Sequence, residues 1–415
     1  MRYIVEGGHK LCGSVRLQTA KNALLPMLAA GILTQSEVVF FEVPDITDVS
    51  AMLDALVFLG AKVCRTGETV SVNYEGVTDK MAAIGCEKMR ASVFLLGAML
   101  GRFRRAEIAK PGGCKIGSRP VDIHLDGFSR MGAECKEGEN SVFVSAKKLT
   151  GAMIPLRMKS VGATENLMIA AATAEGETVI ENAAKEPEIV DLAGFLRAAG
   201  AKIRGAGTDR IVISGVKRLS GTTYFAMKDR IEAGTFLFSA MVTGGEIEID
   251  GCKIADLGGI PEIFRQSACK IRAKDDKILL RSKGRIQTAG RIVTAPFPGF
   301  PTDLQSPVLP VLCLAGSPTA VEERLFENRF LIVPELRKMG AKIEADSASA
   351  IVYPSVLTGA RVSATDLRCG AGLVIAALAA EGQSVVENGA HILRGYDSFG
   401  KKLRALGANV KEEFS

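Results

Sequence analysis

A chain of 415 residues exceeds one ordinary domain and predicts two or three. Hydrophobic residues are 47% and charged residues 24%, a globular balance that excludes intrinsic disorder. Net charge is +6, but Lys and Arg are scattered and the chain has 5 Tyr and no Trp, so no nucleic-acid platform is expected. The mild positive excess suits small anionic substrates.

The longest uninterrupted apolar run, 369–380, spans twelve residues. A membrane-crossing helix needs about 18, so no membrane association is expected. The opening segment MRYIVEGGHK has no apolar core followed by a small-residue cleavage site, and a cytoplasmic location is expected. The nine cysteines are odd in number, form no CxxC pair and mostly sit in apolar runs, which predicts reduced, buried thiols. His9, His124 and His391 are not spaced as a ligand set, so no metal is expected. Neither a P-loop nor GxGxxG is present. No cofactor is implied, and phosphate handling falls to side chains and helix starts.

In chain order, the first predicted strands lie within 3–17. An apolar helix over 20–33 follows, then a strand over 37–42. An amphipathic helix over 48–59 carries Val49, Met52, Leu53, Leu56 and Leu59 at helical spacing and stops at Gly60-Ala61. A hairpin closes the unit. The same order returns with apolar helices over 90–100, 163–174, 232–243, 303–315 and 366–380, and with helix stops at Gly132-Ala133, Gly200-Ala201, Ala268-Cys269, Gly340-Ala341 and Gly407-Ala408. The first residue of each stop falls at 60, 132, 200, 268, 340 and 407, so the intervals are 72, 68, 68, 72 and 67.

The unit is therefore helix, strand, helix, strand, strand, repeated six times. The sixth copy runs out after Val410, and its missing strand has a counterpart at the other end, where 3–17 resembles 211–221. The expected architecture is α/β and two-lobed, with three repeats per lobe. One lobe comprises 21–227; the other is discontinuous, 1–20 plus 228–415. Helices are expected inside and sheets outside, with an active site in the cleft between the lobes. Polar residues gather where the apolar helices begin: Lys21-Asn22, Arg90, Glu165-Asn166, Arg230 with Glu232, Asp303, and Asp366 with Arg368. Helix starts favour anions, so these positions are candidates for a phosphorylated ligand, against the plainer reading of caps and surface charge.

Repeat two departs from the pattern. Its connection after the strand at 106–109 reads Lys110-Pro-Gly-Gly-Cys-Lys-Ile-Gly-Ser-Arg-Pro-Val-Asp122, a glycine-rich loop. Cys114 is the one cysteine neither in an apolar run nor on a predicted buried face, and Lys110, Lys115 and Arg119 favour its thiolate.

This loop, with Lys21-Asn-Ala-Leu-Leu-Pro26, Ser160-Val-Gly-Ala-Thr-Glu-Asn166, Phe300-Pro-Thr-Asp-Leu-Gln305, Phe326-Glu-Asn-Arg-Phe330, Ala364-Thr-Asp-Leu-Arg368 and Arg394-Gly-Tyr396, resembles the UDP-N-acetylglucosamine 1-carboxyvinyltransferase family. These are the enolpyruvyl transferases that begin peptidoglycan synthesis, and hence serve cell-wall biogenesis, cell shape and division. The resemblance runs from the first strand to the C-terminus. It implies a pair of inside-out α/β barrels, each with threefold pseudosymmetry. It also implies transfer of enolpyruvyl from phosphoenolpyruvate to the 3′-hydroxyl of UDP-N-acetylglucosamine, with phosphate released.

By the same resemblance, Cys114 is the acid that protonates the enol ether and can carry a covalent adduct, and Asp303 is the base; Lys21 and Arg394 complete the catalytic set. Phosphoenolpyruvate would be held by Lys21, Asn22, Arg119, Arg329, Asp366, Arg368 and Arg394. The UDP-sugar would lie on Asn22, Arg90, Arg119, Pro120, Val121, Asp122, Ile123, His124, Ser160, Val161, Gly162, Asp303 and Leu325. On residue type alone Asp303, just before an apolar run, reads as a helix cap, Ile123 and Leu325 as packing, and His124 as structural. Two departures stand out. Lys115 takes a place where the family often has a small polar residue. A UDP-contacting lysine of some members falls at Met158 or Lys159, and both stay open. The alternatives are a catalytically silent UDP-sugar-binding paralogue, against which the intact acid and base set argues, and 3-phosphoshikimate 1-carboxyvinyltransferase, whose members lack the cysteine loop.

Overall fold

The computed structural model describes residues 1–79, 89–110, 120–265, 267, 269–284 and 290–414. Cys114, Lys115 and Arg119 lie outside the described residues, as does Ala268 of the fourth helix stop.

The chain opens with strands β1 (Arg2–Glu6) and β2 (Cys12–Arg16). Repeat one holds α1 (Lys21–Ala30), β3 (Glu37–Phe40), α2 (Thr47–Leu59), β4 (Lys62–Thr66) and β5 (Thr69–Asn73). Repeat two holds α3 (Phe94–Phe103), β6 (Arg105–Ala109), α4 (Asp122–Arg130), β7 (Glu134–Glu137) and β8 (Ser141–Ser145). Repeat three holds β9 (Met153–Pro155), α5 (Val161–Ala171), β10 (Glu177–Glu181), α6 (Pro187–Ala198), β11 (Lys202–Arg204) and β12 (Arg210–Ser214), and β13 (Thr223–Tyr224) follows it. Repeat four holds α7 (Arg230–Thr243), β14 (Glu246–Asp250), α8 (Ile260–Arg265), β15 (Lys270–Lys274) and β16 (Lys277–Arg281). Repeat five holds β17 (Arg291–Val293), α9 (Gln305–Cys313), β18 (Thr319–Glu322), α10 (Val333–Lys338), β19 (Lys342–Ala345) and β20 (Ser349–Tyr353). Repeat six holds β21 (Arg361–Ser363), α11 (Leu367–Ala379), β22 (Gln383–Glu387), α12 (Phe399–Ala405) and β23 (Asn409–Glu413).

Contacts divide the described residues into two units. Unit I is 19–227; unit II is 1–18 with 228–414. In unit I the helices α1, α3 and α5 pack on one another at the centre, and three sheets surround them. In unit II the central helices are α7, α9 and α11, again with three sheets. These helices are apolar all round, and nearly every residue of α7 and α11 is buried. Strands such as β5, β8 and β14 alternate buried and half-buried side chains, as a sheet with one face on a core must. Each unit has its own apolar core.

The recurring Gly-Ala pair has a conformational cause. Gly60, Gly132, Gly200, Gly340 and Gly407 all follow an outer helix with φ between 89° and 109°. That is the left-handed region where glycine alone carries no Cβ penalty, so the glycine ends the helix and turns the chain into the hairpin.

The N-terminal strand β1 lies antiparallel between β22 and β23, with Tyr3 opposite Val386 and Glu412, and supplies the strand that repeat six lacks. Among the described residues five of the six sheets carry one further strand, whose pairing was not foreseen. β9, β17 and β21 each precede a central helix and pair parallel with the strand that follows it, giving βαβ crossovers. The other two are exchanged. β2 leads into α1 of unit I yet pairs with β14 of unit II, and β13 leads into α7 of unit II yet pairs with β3 of unit I. The chain thus leaves each unit one strand late, which places the changeovers at 18–19 and 227–228. Among the described residues no helix is long and apolar enough to cross a membrane.

Candidate active site

In unit II two of the sequence-predicted arginines converge on one carboxylate. Asp303 sits in the short helical turn Thr302–Leu304 that precedes α9. It does not cap that helix, whose N-cap position is Leu304 with no side-chain bond. Its Oδ1 instead accepts from Arg329 Nη2 at 2.8 Å, and its Oδ2 accepts from Arg368 Nη2 at 2.8 Å. Both arginines are 5% exposed, whereas the Asp303 side chain keeps 26% of its surface. Burial opposes the charge on Arg368, but Asp303, Tyr396 and Asp229 together outweigh it and hold the guanidinium firmly protonated. The Arg329 guanidinium also lies 5.1 Å from the centre of the Phe326 ring.

Asp366 caps α11. Its Oδ1 accepts from the backbone N–H of Arg368 at 2.8 Å and of Cys369 at 3.1 Å, and Thr365 Oγ1 donates to its Oδ2 at 3.2 Å. Half-buried Arg394 ends a short helical turn, Gly389–Arg394. Leu325 is half-buried, and its N–H donates to Glu323 Oε1 at 2.8 Å. Glu323 was not singled out from the sequence, yet it organises this corner. Its Oε1 accepts from Thr294, Leu325 and Phe326, and its Oε2 from Thr302 Oγ1 at 2.8 Å. One buried carboxylate thereby ties the segment bearing Leu325 to the turn bearing Asp303.

In unit I, Lys21 is the first residue of α1 and donates from Nζ to Asp48 Oδ2 at 3.0 Å; Asn22 beside it is exposed. The counterpart Asp48, buried near the start of α2, was likewise not foreseen. Arg90 Nη2 donates to the carbonyl of exposed Pro120 at 3.4 Å. Val121 is buried and Ile123 half-buried. Asp122 pairs with Arg157, whose hydrogen bond is the main cause holding that carboxyl below its usual range. Ser160 is the N-cap of α5, its Oγ accepting from Ala163 N–H at 3.3 Å. Val161 and Gly162 open the helix, and Gly162 lies against the His124 ring. Arg90, Pro120, Asp122, His124 and the 160–162 segment are thus brought together. Lys159 Nζ is held by Asp209 and by the Ala183 carbonyl, while Met158 is exposed.

The expected placement of Glu165-Asn166 at a helix start is corrected. Ser160 begins α5, so both lie a turn inside it and are buried. Asn166 has a cross-helix task instead. Its Oδ1 accepts from Gly97 N–H of α3 at 3.0 Å, and its Nδ2 donates to Val93 O at 2.9 Å. A Cβ at position 97 would fall 2.3 Å from Asn166 Oδ1, so this approach requires glycine. The second Nδ2 proton faces His124 Nδ1 at 3.0 Å. An amide N–H₂ only donates, so His124 Nδ1 accepts and the ring proton resides on Nε2.

Burial, aided by the Arg90 charge and opposed by Asp122, pushes the His124 pKa down from 6.5 to about 3. His124 is therefore expected to remain the neutral Nε2–H tautomer from pH 8 to pH 5, read by its imidazole ¹⁵N shifts; a protonation midpoint near 6.5 would contradict the arrangement. The linkage sign follows. Between 6.5 and about 3 the unfolded chain takes up a proton that the folded ring refuses, so His124 costs stability as pH falls through that window.

Among the described residues no group of three or more His, Cys, Asp or Glu is placed to hold a metal ion. Unit II thus sets two arginines around one carboxylate, and unit I sets a neutral imidazole beside a helix start.

A family model for EPSP synthase (3-phosphoshikimate 1-carboxyvinyltransferase) matches residues 5–403. UDP-N-acetylglucosamine 1-carboxyvinyltransferase 2 of Carboxydothermus hydrogenoformans is 45% identical over 414 residues, 99% of each chain. UDP-N-acetylglucosamine 1-carboxyvinyltransferase of Pseudoalteromonas atlantica is 45% identical over 416 aligned residues, again 99% of each. Among solved structures, the enolpyruvyl transferase NikO from Streptomyces tendae superposes with a TM-score of 0.88 at 24% identity, covering 99% of this chain and 98% of its own. EPSP synthase from Acinetobacter baumannii gives 0.74 at 16% identity, covering 99% of both. Matched along almost its whole length at both levels, the chain belongs to the EPSP synthase family of enolpyruvyl transferases, among its UDP-N-acetylglucosamine 1-carboxyvinyltransferases.

Proposed function

We propose that this protein transfers the enolpyruvyl group of phosphoenolpyruvate to the 3′-hydroxyl of UDP-N-acetylglucosamine and releases phosphate, the committing step of peptidoglycan synthesis, in the cytoplasm. The observation that carries the reading is 45% identity along 99% of the chain to enzymes of that name, against 16% to an EPSP synthase structure. The Asp303 carboxylate clasped by Arg329 and Arg368 supports it chemically.

The steps follow from the substrates. The enol ether is a weak electrophile until C3 gains a proton, which makes C2 cation-like. Cys114 donates that proton, and the loop that carries it is rich in glycine and cations. The sugar 3′-oxygen attacks C2 and gives up its proton to Asp303, which sets Asp303 against both the sugar and the reacting carbon. The C2–O bond to phosphate then breaks, C3 returns a proton, and the enol ether re-forms on the sugar. A carboxylate offers about four acceptor directions, of which Arg329 and Arg368 take two. The guanidinium groups keep it ionised at neutral pH at some cost in basicity.

Lys21, Asn22, Arg119, Arg329, Asp366, Arg368 and Arg394 form the phosphoenolpyruvate site; the arginines and lysine neutralise its phosphate and carboxylate. Lys21 reaches that phosphate by releasing Asp48 or by bringing it along. Asn22, Arg90, Arg119, Pro120, Val121, Asp122, Ile123, His124, Ser160, Val161, Gly162 and Leu325 hold the UDP-sugar, with backbone N–H groups at the start of α5 turned to the diphosphate. Both substrates are small molecules, and the chemistry asks for no cofactor.

Phosphate release from phosphoenolpyruvate tests it, with and without UDP-N-acetylglucosamine, in wild type and Cys114→Ser. Release that depends on the UDP-sugar and falls about 10²–10⁴-fold in the variant is expected. Release that survives Cys114→Ser would move the acid elsewhere. Binding of the UDP-sugar without any release would mark a silent paralogue.

A further inference from the structure

Behind the arginine and carboxylate cluster of unit II lies a run of buried hydroxyls that the proposed reaction does not itself use. Arg368 spends Nη2 on Asp303 and turns Nη1 to Tyr396 Oη, 3.2 Å away. Tyr396 Oη lies 2.7 Å from Thr235 Oγ1 on α7, and Thr235 Oγ1 donates to the carbonyl of Ile231 at 2.9 Å. Tyr396 and Thr235 are each 0% exposed.

The direction of every bond follows. The Thr235 proton is committed to Ile231 O, so Thr235 Oγ1 must accept from Tyr396. With its own proton spent there, the Tyr396 oxygen presents only lone pairs to Arg368, which is all a guanidinium can use. Burial raises the Tyr396 pKa, so the phenol keeps the proton this arrangement requires. The Tyr396 ring itself is fixed against Phe399, with centroids 4.9 Å apart, and lies 5.5 Å from the Arg368 guanidinium carbon.

We propose that Tyr396 and Thr235 are positioning residues for enolpyruvyl transfer: their hydroxyls hold Arg368 in the one orientation that presents Nη2 to Asp303. The inference rests on the proposed function, because it takes the Asp303–Arg368 pair as part of the reacting site. Without the tyrosine oxygen, a buried guanidinium N–H loses its acceptor and Arg368 turns to find another. Asp303 then loses half of its cationic clasp. An acceptor for a charged donor is worth more than an ordinary hydrogen bond, and the hydroxyl one step further back is worth less.

The test compares Tyr396→Phe, Thr235→Val and Thr235→Ser with wild type, measuring kcat/KM for phosphoenolpyruvate from pH 5 to 9 alongside thermal unfolding. Tyr396→Phe keeps the ring and is expected to lower kcat/KM roughly 10- to 100-fold. Its acid limb should move to higher pH, because a carboxylate with less cationic contact protonates sooner. Thr235→Val, similar in shape, is expected to act in the same direction by about three- to tenfold. Thr235→Ser restores the hydroxyl and should lie within about twofold of wild type. Wild-type rates and an unmoved acid limb in both Tyr396→Phe and Thr235→Val would overturn the inference. So would rates that fall only with the melting temperature while the limb stays in place, or an equal loss in Thr235→Ser and Thr235→Val. If Tyr396→Phe does not fold, the Thr235 pair decides alone. A wild type with no UDP-sugar-dependent phosphate release would defeat the functional reading and the inference together, whereas an active wild type with unresponsive variants defeats only the inference.

Discussion

Replacing Asp303 by asparagine is expected to lower kcat about 10²–10⁴-fold, the range a positioned acid or base commands, with a smaller loss of stability than alanine causes. The asparagine carbonyl still accepts from one arginine, but it takes no proton from a sugar hydroxyl. Asp303→Ala should lose the same activity and also stability. Arg329 and Arg368 are 5% exposed and would face one another without the carboxylate between them. Breaking a fully buried ion pair costs about 3–5 kcal/mol. The Asp303 side chain retains 26% exposure, so water screens part of the charge and about 1–3 kcal/mol is the better expectation. The two variants separate the roles by paired kinetics and denaturant unfolding. Activity within tenfold of wild type in Asp303→Asn would remove this carboxylate as the base. Equal stability of wild type and Asp303→Ala would show that the arginines do not depend on it.

The split between what the sequence disclosed and what it concealed follows from the range of the interactions. Six repeats were legible because the device that ends an outer helix is local. Five of the six stops carry a glycine with φ near 100°, a signal that shows in the sequence at a fixed spacing. The central helices were legible because a helix buried on all sides leaves no polar face. Apart from β2, the strands ahead of the central helices were not, since the two or three residues of β9, β13, β17 and β21 in parallel pairing show no period, and partners such as β13 and β3 lie far apart in sequence. Residue type favoured a cap for Asp303. Only the family resemblance pointed past it, and the structure places two arginines from 26 and 65 residues downstream on its oxygens. Glu165-Asn166 was misplaced because a serine N-cap five residues earlier went unread. Tyr396 of Arg394-Gly-Tyr396 carries no sequence signal of its task, because its partner Thr235 is 161 residues away. Side chains that position other side chains give no short-range signal.

The other large effect concerns the N-terminal strand. Deleting residues 1–6 is expected to unfold unit II while unit I stays folded. β1 is the inner strand of its sheet, so its loss strips the hydrogen-bonding partners from both β22 and β23. It also takes Tyr3 and Val5, each 0% exposed, out of the core, and Tyr3 packs edge-on against Phe399. Two such side chains represent about 3–6 kcal/mol of burial, against about 5–15 kcal/mol for a whole domain, before the opened sheet edges are considered. Unit I should survive because none of its sheets uses β1 and its core is separate. Limited proteolysis would therefore leave a protected fragment from within 19–227, and a deletion variant that melts like wild type would refute the role given to β1. Residue order supplies the matching rescue. Arg2 pairs with Glu413, so the start of β1 lies beside the end of β23. A copy of residues 2–6 joined after Phe414 through a short turn would form the hairpin found in the other five repeats, β4 with β5 being one. Restored folding of the deletion variant by that appended strand would show that repeat six needs the strand itself and is indifferent to which end of the chain delivers it.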